Sequence, residues 1–162
     1  MTREIIVRGS SRCGLVDDDD YDRVSVNSWR LQVNASGNEY AVHDVRRNGK
    51  VEKDLLHRVV LLAPVGSLVD HKNRDGLDNR RDNLRIATVS QNLGNRISTP
   101  NRTSKYKGVS WDSSRGKWRV SLRCNKINYE LGRFDSEEVA AKAYDAKAVI
   151  VWGEFALLNF RA

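Results

Sequence analysis

Apolar and polar residues alternate most strictly between Lys117 and Arg123. Every second side chain there is apolar, which is typical of a β-strand with one buried face. The inward positions are Trp118, Val120 and Leu122, and the outward ones are mostly basic. Asn125-Lys126 predicts a turn into a second alternating run, Ile127–Leu131, and Lys107–Trp111 predicts a less regular first strand.

A helical pattern follows these strands. Ser136-Glu137-Glu138 predicts a helix start, because acidic residues suit the positive end of the helix dipole. Gly153 suits the end of that helix. One face of the helix carries Ala140, Tyr144, Ala148 and Val151, and the small alanines allow a close approach to a sheet. Residues 105–160 are therefore predicted to form a three-stranded antiparallel sheet packed on one helix.

The first half of the chain predicts short strands and turns. Strand-like runs cover Glu4–Arg8, Val24–Trp29 and Glu39–His43, and Asn48-Gly49 is a strong hairpin signal. The acidic run Asp17–Asp20 predicts a solvated turn or a helix start.

A helix is predicted between these strands and the middle of the chain. Apolar residues recur at three- and four-residue spacing from Asp54 to Ala63, and Pro64 closes the segment. His57 and Arg58 lie within it. A packed or surface histidine is the simpler interpretation of His57, and a role near a functional site is the other.

The stretch Val69–Asn92 predicts a strand, a polar loop, a second strand and a short helix with Ser90 as its N-cap. This order could bring Asp70, His71 and Asn92 together at one open edge. A carboxylate, an imidazole and an amide oxygen suffice to hold one hard cation and to deprotonate a water beside it.

The same stretch resembles the HNH nucleases, especially the small phage and intron-encoded homing endonucleases with a ββα-metal site. Four short signatures occur in the expected order, namely Asp70-His71, Asp78-Asn79-Arg80, Asn83-Leu84-Arg85 and Ser90-Gln91-Asn92.

The resemblance implies phosphodiester hydrolysis with His71 as the general base and Asn83 as a brace for its loop. It implies one Mg²⁺, or another divalent cation such as Mn²⁺, per active site, held by Asp70 and Asn92. Three arginines of this stretch are candidates for phosphate binding, with plain surface solvation as the alternative: Arg80, Arg81 and Arg85.

Composition favours a polyanionic partner. The chain has 162 residues, with 28 Lys plus Arg against 21 Asp plus Glu, a net charge of +7 and an isoelectric point near 9.6. Nucleic acid is the first candidate and an anionic membrane the second. No apolar run approaches a membrane span or a secretion signal, so we expect a cytoplasmic protein, in the host cell if the chain is phage-encoded. Cys13 and Cys124 show no paired spacing, and a structural zinc site is not expected.

The positive charge is concentrated in the C-terminal part. Residues 96–162 hold 13 basic and 7 acidic residues, a net of +6, whereas residues 1–95 hold 15 and 14, a net of +1. Arg96–Ser104 contains Pro100 and lacks apolar periodicity, which indicates a linker. The unit after it is therefore the predicted electrostatic anchor on DNA.

The sequence of that unit resembles the plant ethylene-response-factor (Apetala-type) DNA-binding domain. The resemblance rests on Ser104–Val109, Gly116–Trp118, Leu131–Asp135, Glu138–Asp145 and Leu158–Phe160. It implies a sheet laid into the DNA major groove. Ser110 stands at one reading position, and the basic candidates for DNA contact are Lys107, Arg115, Lys117, Arg119 and Arg123.

These observations predict an α+β protein with an N-terminal β-rich region, a ββα-metal HNH nuclease and then the three-stranded sheet on one helix. The predicted boundaries are 1–95 for the nuclease, 96–104 for the linker and 105–160 for the DNA-binding domain. The predicted function is a metal-dependent, phage-type homing endonuclease acting on double-stranded DNA, with no membrane and no obligatory protein partner. The alternative is a non-cleaving, sequence-specific DNA-binding regulator built on a degenerate HNH fold.

Overall fold

The computed structural model describes residues 1–97 and 103–160. It shows a mixed α+β protein with two compact units, Met1–Thr88 and Val89–Ala162. Most of the predicted linker lies outside the described residues, and the predicted domain boundaries at 95 and 105 stay a prediction. No helix in the described part of the chain is long and apolar enough to cross a membrane.

The first unit contains three small sheets and two short helices. Strands β1 and β3 pair with each other, β2, β4, β5 and β6 form a second sheet in the order β2-β4-β5-β6, and β7 pairs with β8. The elements are β1 (Thr2–Ile5), β2 (Val7–Arg8), β3 (Gly14–Asp17), α1 (Asp18–Ser25), β4 (Trp29–Val33), β5 (Glu39–Arg47), β6 (Lys50–Leu55), α2 (Leu56–Leu61), β7 (Leu68–His71), a 3-10 turn (Arg81–Asn83) and β8 (Leu84–Ala87).

The core of this unit lies between the sheets and the two helices. Its fully buried members include Trp29, Leu56 and Leu77, which come from a strand, a helix and the loop between β7 and β8. The loop is therefore tied to the core through Leu77. A parallel bridge between Leu15 and Asp78 fixes the same loop to β3.

Two element predictions in this unit are wrong in their limits. The predicted strand Val24–Trp29 begins only at Trp29, because α1 continues to Ser25. The predicted helix Asp54–Ala63 begins only at Leu56, because Asp54 and Leu55 pair with β5. The hairpin turn at Asn48-Gly49 is present, with φ values of 50° and 75°.

The acidic run lies at the start of helix α1. Its side chains were predicted to be solvated, but that of Asp20 is buried. The Asp20 side chain is 2% exposed and accepts hydrogen bonds from Arg81 Nε at 2.7 Å and from Arg23. Burial alone raises the pKa of Asp20, but the hydrogen bonds and charges of the two arginines outweigh it and hold the pKa below the usual value. Asp20 therefore joins α1 to the turn that precedes β8.

Removing this carboxylate should destabilise the first unit. A fully buried ion pair that loses one partner costs about 3–5 kcal/mol, but the Arg81 and Arg23 side chains are 49% and 36% exposed and can turn to water. We expect Asp20→Ala to lower the free energy of unfolding by about 2 kcal/mol at pH 7 in urea titrations. Asp19→Ala, an exposed neighbour in the same helix, should cost less than about 0.5 kcal/mol.

The ion pairs of Asp20 also make the stability of the first unit depend on pH. The folded-state pKa of Asp20 lies below its unfolded value, so its contribution is complete above the unfolded pKa of about 3.9. The contribution is lost as the pH falls through the folded pKa. The difference in stability between wild type and Asp20→Ala should therefore shrink in acid below about pH 4; a difference that stays constant to pH 2 would contradict the assignment.

The second unit has the predicted sheet and helix. Its elements are α3 (Val89–Asn95), β9 (Val109–Asp112), β10 (Lys117–Cys124), β11 (Ile127–Phe134), α4 (Glu137–Trp152) and a 3-10 turn (Gly153–Phe155). The strand order is β11-β10-β9, all antiparallel, and α4 packs on β10. Buried residues of the sheet and helix form its core: Val109, Val120, Leu122, Ala140, Tyr144 and Ala148.

Turn and cap residues of this unit adopt the conformations that their residue types favour. Asn125 and Lys126 have φ values of 49° and 66°, and Gly153 caps the C-terminus of α4. The Ser136 side chain accepts from the Val139 amide, as an N-cap should. Two constraints favour glycine at position 108. Its φ is 78°, a region that other residues rarely adopt, and a Cβ there would lie 2.0 Å from the Tyr144 ring.

Three positions of this unit differ from prediction. Trp118 is half-buried and packs edge-on against Trp111 at 4.9 Å between ring centroids, so it is not a core residue. Ile127 is exposed, because it begins β11 directly after the turn. Ser90 is not an N-cap, because α3 begins at Val89. Its hydroxyl accepts a hydrogen bond from Trp152 Nε1 at 3.2 Å instead.

Candidate active site

Asp70 and His71 are the last two residues of β7. The antiparallel register places them opposite Arg85 and Leu84 of β8. Both side chains are buried, at 5% and 6% residue exposure. A buried carboxylate followed in sequence by a buried imidazole, at the point where a strand enters a polar loop, is an arrangement from which acid–base chemistry can be built.

Asn83 closes the loop between β7 and β8. Its Oδ1 accepts from the Asn73 amide at 3.0 Å, and its Nδ2 donates to Asn73 Oδ1 at 2.9 Å and to the Asp78 carbonyl at 2.7 Å. Its own carbonyl accepts from the Lys72 amide at 2.9 Å. The side chain thus connects Asn73 to Asp78 across the loop, and the backbone carbonyl fixes the residue after His71, which is the geometry that a bracing role needs.

Asn79 orients the imidazole of His71, and the sequence analysis assigned it no role. Its Nδ2 donates to the Leu77 carbonyl at 2.9 Å, so its Oδ1 is the atom turned toward His71 Nε2, 3.4 Å away. Because that oxygen can only accept, the neutral tautomer carries its proton on Nε2 and its basic lone pair on Nδ1. The Asp78-Asn79-Arg80 signature was the only sequence signal for this position.

The environment of His71 keeps it neutral at physiological pH. Burial lowers its pKa below the usual value, and the hydrogen bond to Asn79 and the charges of Asp70, Asp75 and Asp78 oppose this only in part. A neutral imidazole can accept a proton from water, as a general base must.

A second histidine lies against the first. The rings of His57 and His71 are 5.1 Å apart between centroids and nearly perpendicular, and Tyr40 contacts both rings. Burial lowers the pKa of His57 to about 3, and its Nδ1 makes no hydrogen bond within the described residues. The packed-histidine interpretation therefore fits His57, although it lies in the candidate site.

The three arginines predicted to bind phosphate are all engaged in ion pairs. Arg80 pairs with Asp78 at 2.7 Å, Arg81 with Asp20 at 2.7 Å and Arg85 with Asp70 at 2.7 Å. The Arg80 and Arg81 side chains keep 42% and 49% of their exposure, whereas Arg85 keeps 11%. Only the first two guanidinium groups are therefore open to a ligand without rearrangement.

Asn92, the second predicted metal ligand, lies in α3 and so belongs to the second unit. It is exposed. The helix is fixed within that unit at Gly94, whose carbonyl accepts from the Leu157 amide and from Lys107 Nζ. A Cβ at Gly94 would lie 2.8 Å from the Trp152 ring. The pairing of Asp70 with Asn92, and with it the ββα-metal arrangement, stays a prediction.

The outward face of the second unit's sheet carries Lys117, Arg119 and Arg123, whereas Arg115 lies in the turn between β9 and β10 and the Lys107 ammonium lies against Gly94. Arg119 sits opposite Ser110 and Arg133 and pairs with Glu130. Lys117 pairs with Asp135 and Arg115 with Asp112. Arg123, opposite Asn128, makes no ion pair within the described residues. The face is basic, but acidic neighbours neutralise part of it.

Comparison with known proteins supports a nuclease role for the chain. The family model described as HNH endonuclease matches residues 54–93, which include Asp70, His71, Asn83 and Asn92. An uncharacterized HNH endonuclease of Acanthamoeba polyphaga mimivirus is 30% identical over 161 residues, covering 96% of this chain and 79% of that protein. This chain belongs to the HNH endonuclease family.

Other relatives match only part of this HNH protein. Protein 3.8 of Escherichia phage T7 is 31% identical over 93 residues, covering 57% of this chain and 76% of that protein. An AP2-like ethylene-responsive transcription factor of Arabidopsis thaliana is 38% identical over 58 residues, which cover 36% of this chain and 13% of that protein. No solved structure matches the chain. The family is therefore shown, together with similarity to viral proteins and to plant AP2-type domains.

Proposed function

We propose that this HNH protein is a metal-dependent DNA endonuclease of the homing type, whose cleavage site is selected by its second unit. The observation that carries the proposal is the His71 imidazole, buried, neutral and oriented by Asn79, in the residue that follows the buried Asp70 at the end of β7. The family and the AP2-like similarity both support DNA as the substrate.

His71 acts as the general base in this proposal. Its Nδ1 takes a proton from a water molecule, whose oxygen then attacks the phosphorus of the scissile phosphodiester. The bond from phosphorus to the 3′ oxygen breaks, and that oxygen leaves with a proton from solvent. The products carry a 5′ phosphate and a 3′ hydroxyl. Asn79 keeps the imidazole in the tautomer that this step needs.

The residues present fit a hard divalent cation. Asp70 would supply a carboxylate and Asn92 an amide oxygen, the ligand types preferred by Mg²⁺ and Mn²⁺. The buried Asp70 carboxylate already attracts a cationic group, Arg85, which shows that its charge requires compensation. When bound, the cation would stabilise negative charge on the phosphate and the leaving oxygen. Within the described residues no cluster of three or more His, Cys, Asp or Glu side chains suited to a metal ion is present, so the proposal relies on the amide of Asn92.

The second unit supplies DNA affinity in this proposal. Its outward sheet face presents Arg119, Arg123 and Lys117, and the part of the chain after Asn95 holds 13 basic against 7 acidic residues. Phosphate contacts give affinity with a strong salt dependence, whereas contacts to base edges discriminate sequence. Glu130 must give up or share Arg119 when a phosphate arrives, so Arg123 is the first contact we expect.

The double variant Arg119→Ala, Arg123→Ala should weaken DNA binding without unfolding the unit. Each lost phosphate contact removes about 0.9 from the slope of log affinity against log salt, so the slope should fall by about 1 to 2. Fluorescence anisotropy with a labelled duplex at several salt concentrations measures this. Lys142→Ala, on the exposed face of α4, is the matched control and should leave the slope unchanged. An unchanged slope in the double variant would mean that DNA is held elsewhere.

Cleavage mapping on phage-genome and random-sequence DNA tests the proposal as a whole. One active site per chain predicts nicks in one strand by a monomer. We expect breaks at a few defined sequences, with relaxed selectivity in the Arg119→Ala, Arg123→Ala variant. Tight, selective binding without any cleavage in Mg²⁺ or Mn²⁺ would favour a non-cleaving regulator instead.

A further inference from the structure

The ion pair between Asp70 and Arg85 differs from the others around the site. Both Nε and Nη2 of Arg85 donate to the same oxygen, Asp70 Oδ2, at 2.9 and 2.7 Å. The two residues are directly opposite each other on β7 and β8, so the strand pairing itself holds them together.

The pair is also desolvated on both sides. The side chain of Arg85 is 11% exposed and that of Asp70 is 6% exposed, whereas the arginines paired with Asp78 and Asp20 remain nearly half exposed. Charges interact more strongly away from water, and separating such a pair leaves a buried charge without compensation. The Arg85 guanidinium is therefore a built part of the site and not a surface contact.

We propose that Arg85 is the resident counter-ion of Asp70, and that a divalent cation at this carboxylate binds in competition with it. The inference rests on the metal assignment of the proposed function. A guanidinium and a divalent cation on one carboxylate repel each other, so Arg85 holds metal affinity down in the DNA-free protein. A phosphate is the group to which a guanidinium can turn, through two parallel hydrogen bonds. DNA and metal then bind with positive coupling, each raising the affinity of the other.

Manganese binding to the DNA-free, full-length protein tests the competition. In titration calorimetry, Arg85→Gln should bind Mn²⁺ at least about tenfold more tightly than wild type, because glutamine keeps a donor beside Asp70 but removes the charge. Arg85→Lys keeps the charge and should resemble wild type. Arg80→Gln is the matched control, since Arg80 pairs with a buried carboxylate, Asp78, that is not a predicted ligand; its Mn²⁺ affinity should not change.

Two outcomes would overturn the proposal in distinguishable ways. Equal Mn²⁺ affinity in wild type and Arg85→Gln, lost in both on Asp70→Asn, would leave the metal assignment standing and reject the role of Arg85. Absence of any Asp70-dependent Mn²⁺ binding would reject both. If Arg85→Gln unfolds without metal, excess Mn²⁺ should restore its folded circular-dichroism signal, and failure to do so would count against the proposal.

The coupling is measured by adding a short DNA duplex in a His71→Ala background, which prevents turnover. The duplex should raise the Mn²⁺ affinity of the protein that retains Arg85 by about tenfold or more. It should raise the affinity of the Arg85→Gln protein much less, because the competing cation is already gone. An equal gain in both would contradict the proposed release of Arg85 by DNA.

Discussion

Asp70→Ala should abolish DNA cleavage, with a loss of at least about 10³-fold in the single-turnover rate. A bound divalent cation supplies several kcal/mol of transition-state stabilisation, and each 1.4 kcal/mol corresponds to a factor of ten. DNA affinity should stay within a few-fold of wild type, because it is distributed over phosphate contacts elsewhere. Gel-resolved cleavage and fluorescence anisotropy measure the two effects separately.

The Asp70 experiment needs a control for folding, because the alanine leaves the buried guanidinium of Arg85 without its partner. Asp70→Asn retains an acceptor for Arg85 and should be equally inactive while melting closer to wild type. Asp44→Ala removes a more exposed carboxylate of the same unit, paired with Arg30, and should cleave normally. A near wild-type rate in Asp70→Ala would refute the metal assignment.

His71→Ala should lower the single-turnover rate by about 10² to 10⁴, the usual range for loss of a general base. Metal binding should remain largely intact. The wild-type rate should be flat near neutral pH and decline in acid, because the pKa of His71 lies below its usual value of 6.5 and the base is lost as the pH falls through it. The alanine variant should lose this dependence.

His57 provides the comparison for His71. The two rings are in contact, but His57 is the buried, permanently neutral member of the pair. His57→Ala should therefore affect cleavage less than His71→Ala, through packing against the imidazole. A larger loss of single-turnover rate in His57→Ala would mean that the wrong histidine was assigned as the base.

Local sequence patterns were sufficient where the structure is set by near neighbours. The turns at Asn48-Gly49 and Asn125-Lys126 need residues that tolerate positive φ, and the alternation over Lys117–Arg123 follows from the two-residue period of a strand. Asp70 and His71 were chosen as candidate site residues because their spacing to Asn83 is short and their chemistry is distinctive, and their roles stay a prediction.

Features that depend on long-range partners were missed. The buried Asp20 pairs with Arg81, 61 residues later, as well as with Arg23, and no local pattern distinguishes it from a solvated aspartate. The role of Asn79 depends on a carbonyl that fixes its amide. Ser90 has the chemistry of an N-cap, but its bond to Trp152, 62 residues away, became visible only in the structure.

Relaxation of supercoiled plasmid by the full-length protein tests the central claim most directly, with wild type, His71→Ala and His43→Ala compared in Mg²⁺ and in EDTA. His43 is the matched control, a partly exposed histidine whose ring packs on Trp29 outside the candidate site. We predict nicked circles from wild type and His43→Ala in Mg²⁺, none in EDTA, and at most a trace from His71→Ala. Nicking by His71→Ala at the wild-type rate, or undiminished nicking in EDTA, would contradict the assignment of this site as a metal-dependent nuclease.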